Sequence, residues 1–587
     1  MSEDNDILIK EATIVDGSGS KPYKGAVAVR GERIVAVGKD VSGGADTVID
    51  AKGRVVSPGF IDVHNHGDLS ILYYPKADGF VRQGITTFVG GNCGSSPAPY
   101  GDLVKVNFFL GDLLSELNPD MYYPEGLLPR DVVNEKHREM YGWEIDWHTM
   151  GEFLKRVEDE AISPNYVPLV GHHQVRDVVM GTDFQRRATD EEVDEMKAHV
   201  RQAMEDGCKG FSVGRDYESS IYANLDEIVT LAEIVSEYGG VFTSHSLRTG
   251  LRKARRPGEF PPVKVEGLLE AIDVGRRAKI PIQVSHLGTL YDVTPGGSEV
   301  MSEAAARSTL KILDDATEEG IEVHFDTIPN NRGFGTSTSL YLATSLLPWL
   351  KIAGSREQFA KALRMRELRE EIRATIWSGK YYSLNPNINK GWAAMKRVLE
   401  SKEERFLDKT IAQIAEETGK EPLDALFDVI TTDPDARTGS RGRDSPTKGM
   451  FYRHSGCMVG IDTFAVDTTY RMKSPPWSLP SENSFGGFSN YIKTTVVDSD
   501  TLKLEEAVWK VTGLSAEKFR LKDRGVLRPG AYADIVVMDL ESVANKAEPL
   551  NPCVYPDGID HVIINGEVVV KDSEHTGRRP GKVLRRE

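Results

Sequence analysis

The chain has 587 residues, of which 40% are hydrophobic and 27% are charged, a composition typical of a soluble globular enzyme. Its formal net charge of −17 argues against nucleic acid or an anionic membrane surface as a partner. Four scattered cysteines form no disulfide framework, and the acidic start and the lack of a membrane-length apolar run predict a cytoplasmic protein.

Short β-like runs occupy both ends of the chain. Near the start they lie at 7–9, 26–29, 33–37 and 47–49. Glycine and aspartate separate these runs, as in hairpins. Near the end they lie at 534–538 and 561–570, where Asn565-Gly566 is a strong signal for a type I′ turn. The pattern predicts one small β-sandwich domain built from residues 1–57 and 520–587.

Between residues 58 and 519, apolar runs alternate with helical periodicity, which is typical of βα units and a parallel sheet. The candidate strands, about eight in number, are 59–66, 84–91, 166–171, 209–213, 241–245, 281–286, 322–326 and 457–462. Eight is the strand number of a (β/α)8 barrel, which carries its active site at the carboxyl ends of the strands. The sequence therefore predicts an α/β fold with a TIM-like barrel over 58–519.

Helices and two insertions complete the predicted barrel. The clearest helix lies between Thr189 and Gly207, because Thr189 and Glu192 form a capping box and Gly207 fits the C′ position. An aromatic-rich insertion at about 101–148 is expected to be an ordered lid or an oligomer contact. A second insertion, at about 327–456, is predicted to be mostly helical, over Glu357 to Trp377 and Thr410 to Ile430.

Several predicted strands end in side chains that can bind a metal ion. The first ends in His64 and His66, whose i, i+2 spacing on a strand would place both imidazoles on one side. His245 and His286 end two later strands, and Cys93 lies in a glycine-rich turn after the second strand. Each of these would alone be an ordinary polar or turn residue. Together they predict a zinc site, because imidazole and thiolate are ligands that zinc prefers.

Other polar residues at the strand ends are candidates for proton transfer or substrate contact. Asp462 closes the last strand, where it could take a proton from a metal-bound water and deliver it to a leaving nitrogen. A helix N-cap is its alternative role, and Asp467 is the second candidate for the base. Asp326 is expected to do no more than orient a loop. His172 could contact substrate, support other site residues from behind, or serve in the core.

These motifs together resemble the metal-dependent amidohydrolase superfamily, and specifically its D-aminoacylase (N-acyl-D-amino-acid deacylase) branch. The likeness runs along nearly the whole chain, through residues 58–66, 84–94, 171–181, 210–214, 244–245, 284–287, 458–462, 523–536 and 574–581. The resemblance implies a TIM barrel joined to a small β domain made from both chain ends.

The resemblance also implies the layout of the active site. It implies one tight zinc site with three ligands: Cys93, His245 and His286. A second, weaker or empty, metal position would use His64 and His66 and share Cys93, and Asp462 would be the general base and acid. Many superfamily members use a carboxylated lysine on the fourth strand, but Lys209 lies at the wrong end of that strand. The position of Lys209 therefore favours a metal site that uses a cysteine instead of a carboxylated lysine.

Three positions depart from the family pattern. The family is expected to hold a substrate carboxylate with a lysine, a tyrosine and an arginine, where this chain has Gly288, Asn330 and Asn483. Both cations and a phenol donor are thereby lost. The substrate is therefore predicted to be something other than an ordinary N-acyl-D-amino acid. A neutral or cyclic amide would fit, as would a carboxylate held by other groups: Arg248, Asn331 or Arg332.

The sequence thus predicts a zinc hydrolase that acts on C–N bonds other than peptide bonds, with a small-molecule amide as substrate. Zinc-bound hydroxide would attack the carbonyl. The alternatives are a cyclic-amide hydrolase of the hydantoinase or dihydroorotase type and a non-catalytic barrel scaffold. A deaminase would be expected to have a His-x-Glu pair after a middle strand, and no such pair lies where a deaminase would need it. A homo-oligomer is left open.

Overall fold

The computed structural model describes residues 5–106, 108–117, 127–217, 219–247, 263–290, 298–330, 346–377, 392–439, 447–474 and 477–586. In chain order the strands of these residues are β1 (Asn5–Ile14), β2 (Tyr23–Arg30), β3 (Arg33–Gly38), β4 (Ala45–Asp50), β5 (Val55–Pro58), β6 (Phe60–Asp62), β7 (Ile85–Gly90), β8 (Leu103–Lys105), β9 (Leu127–Pro129), β10 (Asn165–Gly171), β11 (Gly210–Gly214), β12 (Val241–His245), β13 (Ile282–Val284), β14 (Val323–Thr327), β15 (Arg397–Glu400), β16 (Arg437–Gly439), β17 (Cys457–Val459), β18 (Ile535–Met538), β19 (Ile559–Ile564), β20 (Glu567–Lys571) and β21 (Glu574–His575).

The α-helices of the same residues are α1 (Asp78–Val81), α2 (Gly111–Leu117), α3 (Arg130–Tyr141), α4 (Met150–Glu160), α5 (His172–Met180), α6 (Asp190–Glu205), α7 (Leu225–Glu237), α8 (Val263–Ala278), α9 (Glu299–Glu318), α10 (Leu347–Ala353), α11 (Arg356–Ala362), α12 (Arg366–Trp377), α13 (Trp392–Met395), α14 (Ile411–Thr418), α15 (Pro422–Thr432), α16 (Lys448–Arg453), α17 (Asn483–Ile492), α18 (Leu504–Lys510) and α19 (Gly513–Lys518).

The barrel is a parallel sheet in the order β6-β7-β10-β11-β12-β13-β14-β17. Its two end strands meet at the carboxyl end, where the Asp462 amide donates to the His64 carbonyl at 2.8 Å. The Val63 amide approaches the Val459 carbonyl at 3.5 Å on the same seam. Described helices follow β10, β11, β12 and β13 in the chain, as βα units require. The predicted (β/α)8 barrel is therefore confirmed.

Both faces of the barrel strands are largely buried, which explains why these strands are rich in apolar residues. Inside the barrel, aliphatic side chains form one cluster with residues of and after α19: Ile61, Val89, Val167, Leu169, Met458, Leu514 and Phe519. Outside, aromatic side chains face the surrounding helices: Phe60, Phe88, Phe211, Phe242 and Phe325. The barrel interior is thus a packed core, and polar chemistry is confined to its carboxyl rim.

The two chain ends form a second sheet in the order β3-β2-β1-β5-β18-β19-β20-β21, with β4 paired to β1. It encloses its own apolar cluster, to which both termini contribute. The predicted hairpin turn is confirmed, because Asn565 and Gly566 both have positive φ, 48° and 82°. The composite β domain is therefore present, while its limits at residues 57 and 520 stay a prediction. Strand β5 leads directly into β6, so this sheet is joined to the strand that precedes His64.

The predicted helix after Thr189 is confirmed as α6, with Thr189 and Glu192 in a capping box. Two longer predictions were wrong in detail. The helical stretch 357–377 is broken between α11 and α12, and the stretch 410–430 is broken between α14 and α15. In the second case Gly419 ends α14 in the left-handed conformation and Pro422 is the first residue of α15. Glycine at C′ and proline at N1 are the residues that separate consecutive helices.

The two insertions pack differently. The described part of the aromatic insertion joins the main core, and the Trp147 Nε1 group donates to the Pro97 carbonyl at 2.7 Å. The helical insertion has a separate apolar core drawn from residues 346–436. None of the described helices combines the length and the apolar character needed to cross a bilayer.

Because His324 on β14 is mostly buried, we expect it to lower the free energy of unfolding in acid. Burial, with a smaller contribution from Lys518, lowers the pKa of this imidazole to about 4. Between this value and the usual imidazole pKa of about 6.5, the unfolded chain binds a proton that the folded chain does not. The contribution of His324 to the free energy of unfolding is therefore complete above about pH 6.5 and is lost as the pH falls toward 4. Between pH 7 and 5 this amounts to about 2 kcal/mol. His324→Gln should remove that part of the acid sensitivity in urea unfolding at the two pH values; an equal loss of stability in both proteins would contradict this assignment.

Candidate metal centre

Side chains from several barrel strands converge at the carboxyl rim, and they form two groups of potential metal ligands. One group is His64, His66, Cys93 and Asp462, and the other is Cys93, His245 and His286. Within each group the ligand atoms lie within 4.8 Å of one another, and Cys93 belongs to both. Every predicted metal ligand is thus in one place, and the division matches the predicted tight and weaker positions. Their roles as ligands stay a prediction.

The cysteine sulfur lies at the centre of the cluster. Cys93 Sγ is 3.2 Å from His64 Nε2 and 3.6 Å from His286 Nε2. His286 Nε2 is in turn 2.9 Å from His245 Nδ1. Two imidazoles and a thiolate at these separations can surround one tetrahedral cation, so the donor set fits zinc.

The two histidines of the His-x-His pair are brought together by a turn rather than by strand alternation. Strand β6 ends at Asp62, two residues before His64, so the predicted strand 59–66 is too long. Beyond it, the His66 amide donates to the Thr463 carbonyl at 2.9 Å, and Asp62 Oδ1 accepts the His64 amide at 3.2 Å. The pair is therefore held by the segment that follows β17 and by a buried carboxyl group.

The backbone at three of the clustered residues is in the left-handed region. The φ angles are 53° at Cys93, 39° at His286 and 48° at Asp462. Such angles are costly for non-glycine residues and persist where the surroundings over-determine them, which is common at functional sites. Gly460 allows the segment after β17 to approach His64 closely, because a Cβ at position 460 would lie only 2.3 Å from the Cβ of His64.

The thiol of Cys93 is held in its ionised form by the surrounding imidazoles. Burial by itself raises its pKa, but His64, His245 and His286 together bring that pKa well below its usual value. By contrast, burial raises the pKa of the Cys457 thiol to about 11. Cys93 therefore has the ionised form that a metal ligand needs, whereas the Cys457 thiol stays protonated in the core.

Asp462 lies between the two histidines of the first group. Its Oδ1 is 3.1 Å from His66 Nε2 and 3.4 Å from His64 Nε2. Burial raises the pKa of this carboxyl group, but His64 and His66 outweigh it, so the pKa lies well below the usual value. Conversely, although burial lowers the pKa of His66, Asp462 and Cys93 raise it to about 10. Positive charge here is stabilised by two anions, as a cation site requires.

Two carboxylates lie behind the clustered histidines: Asp326 was noted in the sequence as a strand-end group, and Asp216 was missed. Asp326, expected only to orient a loop, lies 3.2 Å from His64 Nδ1 and accepts the His286 amide at 2.8 Å. Asp216 Oδ2 lies 3.2 Å from His245 Nε2. Asp216 comes two residues after the end of β11, and this position at the carboxyl rim was the one signal available in the sequence.

Two of the predicted substrate residues, Asn330 and Asn483, lie in contact with each other. The backbone N–H of Asn330 donates to Asn483 Oδ1 at 3.2 Å, and the side-chain Nδ2 of Asn490 donates to Asn330 Oδ1 at 2.7 Å. The ammonium group of Lys448, which the sequence did not single out, donates to the Pro329 carbonyl beside them. Arg248, Asn331 and Arg332 lie outside the described residues.

His172 and Lys209 lie away from the cluster. His172 begins α5 and is fully buried, with Nδ1 2.7 Å from Ser220 Oγ and Nε2 2.9 Å from Glu227 Oε1. These contacts favour the core role over contact with substrate. Lys209 precedes β11 and donates to the Arg520 carbonyl at 3.2 Å, so it lies at the amino end of its strand as expected.

Comparison with known proteins gives a consistent family assignment. Residues 47–247 and 391–570 match the Amidohydrolase family. The D-aminoacylase of Alcaligenes xylosoxydans xylosoxydans is 28% identical over 100% of this chain and 98% of its own length. The N-acyl-D-aspartate deacylase of the same organism is 30% identical over 99% of this chain and 95% of its own length.

A solved structure shows the same likeness. The N-acyl-D-glutamate deacylase of Bordetella bronchiseptica, in complex with zinc and a phosphonate inhibitor that mimics the tetrahedral intermediate, superposes with a TM-score of 0.68. It is 26% identical, and the match covers 99% of this chain and 100% of that one. Taken with the barrel and the clustered ligands, these likenesses confirm the resemblance to the D-aminoacylase branch: the chain belongs to the amidohydrolase family.

Proposed function

We propose that the chain is a metal-dependent hydrolase that cleaves the C–N bond of a small-molecule amide. The observation that carries the proposal is the pair of ligand groups that share Cys93, with Asp462 in one of them. The relatives that match along their whole length are deacylases, which supports amide cleavage over the cyclic-amide and scaffold alternatives.

The metal position is proposed from the donor set. Cys93, His245 and His286 would hold the tight zinc ion, and His64 and His66 would offer a second position with Cys93 and Asp462. A zinc ion there supplies a Lewis acid for the carbonyl oxygen and lowers the pKa of water. The zinc in the Bordetella bronchiseptica structure supports this choice of metal.

Asp462 would carry the proton through the reaction. Its carboxylate accepts a proton from the attacking water as the new C–O bond forms. It then delivers that proton to the amide nitrogen as the C–N bond breaks, so that the products are a carboxylic acid, which ionises in water, and an amine. The neighbouring imidazoles of His64 and His66 keep Asp462 ionised and therefore ready to accept.

The substrate is proposed to lack the free carboxylate of an ordinary N-acyl-D-amino acid. Asn330 and Asn483 stand where a tyrosine and an arginine are expected to bind the carboxylate, and both have neutral side chains. The two residues are adjacent, because the backbone N–H of Asn330 donates to Asn483 Oδ1. At Gly288, an added Cβ would meet no atom of the described residues within 4 Å, so a side chain could begin there without a clash with them. A charged hydrogen bond is worth about 1.5–3 kcal/mol, so losing two cations weakens carboxylate recognition severely.

A substrate panel tests this proposal. We expect kcat/KM for N-acetyl-D-amino acid amides and esters to equal or exceed that for the corresponding free acids. The protein is loaded with zinc, and the metal content is measured beside the rates. A preference of about 100-fold for the free acid, equivalent to about 3 kcal/mol, would defeat the substrate proposal. A protein that neither binds zinc nor hydrolyses any amide would defeat the function as a whole.

Gly288 offers a direct control for the panel. Gly288→Lys should shift the ratio of kcat/KM values toward the free acid by about 10-fold, since one charged hydrogen bond is restored. Gly288→Met is the matched neutral variant of similar length and should leave the ratio unchanged. If both substitutions shift the ratio alike, position 288 acts through shape rather than charge.

A further inference from the structure

The imidazole of His245 has both of its nitrogens engaged. Its Nδ1 faces the cluster, 2.9 Å from His286 Nε2, and its Nε2 lies 3.2 Å from Asp216 Oδ2. Both side chains are buried, with 1% and 8% of their surfaces exposed. A buried carboxylate beside Nε2 favours the tautomer with its proton on Nε2, which directs the lone pair of Nδ1 toward the cluster.

The same arrangement recurs on the other side of the cluster. Asp326 Oδ1 lies 3.2 Å from His64 Nδ1, and His64 Nε2 is 3.2 Å from the Cys93 sulfur. In metal sites, a carboxylate behind a histidine fixes its tautomer and ring orientation and makes it a stronger ligand. We infer that Asp216 is the positioning residue for His245 and strengthens metal binding at the Cys93–His245–His286 group. This inference rests on the proposed function, since it assigns a role at the proposed metal site.

The loop that carries Asp216 is fixed by buried contacts. Directly before Asp216, the Arg215 amide donates to the His245 carbonyl at 2.9 Å, and Arg215 Nε lies 2.5 Å from Glu270 Oε1. The Arg215 guanidinium also donates to the Ser220 carbonyl farther along the loop. Asp216 therefore follows a residue whose backbone and side chain are both held by buried contacts, as suits a positioning group.

The far end of this loop is anchored to α5. Ser219 Oγ donates to Asp177 Oδ1 at 3.0 Å, and His172 Nδ1 lies 2.7 Å from Ser220 Oγ. Glu227 holds His172 and forms two 2.6 Å contacts with Arg176 Nη1. His172 is thus a buried core residue whose hydrogen bond to Ser220 supports the loop that carries Asp216.

Zinc affinity tests the inference without relying on activity. The full-length apoprotein is titrated with zinc against a chelator of known affinity, and the thermal midpoint of the apoprotein is recorded. Asp216→Asn keeps the size of the side chain but removes its charge, and it should weaken zinc binding by about 10- to 100-fold. The matched control is Asp177→Asn, which perturbs the same loop without touching a histidine, and it should change the affinity by less than about 3-fold.

The outcomes separate this inference from the proposed function. Unchanged zinc affinity in Asp216→Asn, with normal binding by the wild type, would overturn the role of Asp216 alone. Equal weakening by Asp177→Asn would also overturn it, because loop packing would then be the cause. A wild-type protein that binds no zinc would overturn the proposed function and this inference together. If Asp216→Asn fails to fold, Asp216→Ser removes the carboxylate without burying an amide and gives the same comparison.

Discussion

Replacing Asp462 with asparagine is expected to lower kcat for amide hydrolysis by about 1000-fold, since a positioned general base and acid contributes about 10²–10⁴. The amide can neither accept the proton of the attacking water nor return it to the leaving nitrogen. The tight zinc position should survive, because Asp462 is absent from the Cys93–His245–His286 group. Rates at saturating substrate and the metal content of the purified variant are the measurements.

Asp467→Asn is the matched control for this experiment. Asp467 is the other aspartate of the same segment, and its Oδ1 accepts hydrogen bonds from the Thr469 amide at 2.7 Å and hydroxyl at 2.5 Å. Its replacement should leave kcat within about 2-fold, as is usual for substitutions away from the chemistry. The assignment of Asp462 fails if Asp462→Asn keeps most of its activity, or if Asp467→Asn loses as much.

Cys93→Ser is the second substitution with a large expected effect. Zinc bound by a full set of protein ligands is worth about 10–16 kcal/mol, so loss of one anionic donor should cost about 3 kcal/mol or more. This corresponds to at least about 100-fold weaker zinc binding. Because Cys93 belongs to both ligand groups, the variant should lose the tight ion, any second ion and the hydrolysis together.

Cys457→Ser tests whether this effect belongs to Cys93. Cys457 is also buried, begins β17 and has a thiol whose pKa is raised rather than lowered. A serine there should leave zinc binding unchanged, with at most a small loss of stability. Zinc retained by Cys93→Ser at wild-type affinity would remove the central premise of the proposed site.

Many of the secondary-structure elements could be predicted from local sequence patterns. The barrel strands were recognisable because strands buried on both faces are rich in apolar residues, as in β17 and in the first half of β12. The hairpin at Asn565-Gly566 and the capping box at Thr189 depend on neighbouring residues only, so they too were predictable. The helical insertion was harder, because short breaks such as the one at Gly419 are weak signals inside a long helical pattern.

For the site, the sequence predicted which residues meet but not which of their atoms are in contact. That His64, His66, Cys93, His245, His286 and Asp462 would meet at one rim follows from a rule about parallel strands, because their carboxyl ends share one edge of the barrel. Which atoms face one another does not follow from that rule. The turn that brings His64 to Asp462 is made by hydrogen bonds across the barrel seam, between residues nearly 400 positions apart.

The sequence by itself thus determined the fold class, the family and the set of residues gathered at the barrel rim, because these depend on residue type, periodicity and order along the chain. Only the tertiary structure decided that Asp326 and Asp216 lie behind His64 and His245, and that His172 supports a loop. The physical reason is that a hydrogen bond needs an approach of about 3 Å between specific atoms. Such distances between residues far apart in the chain are set by how whole strands and helices pack.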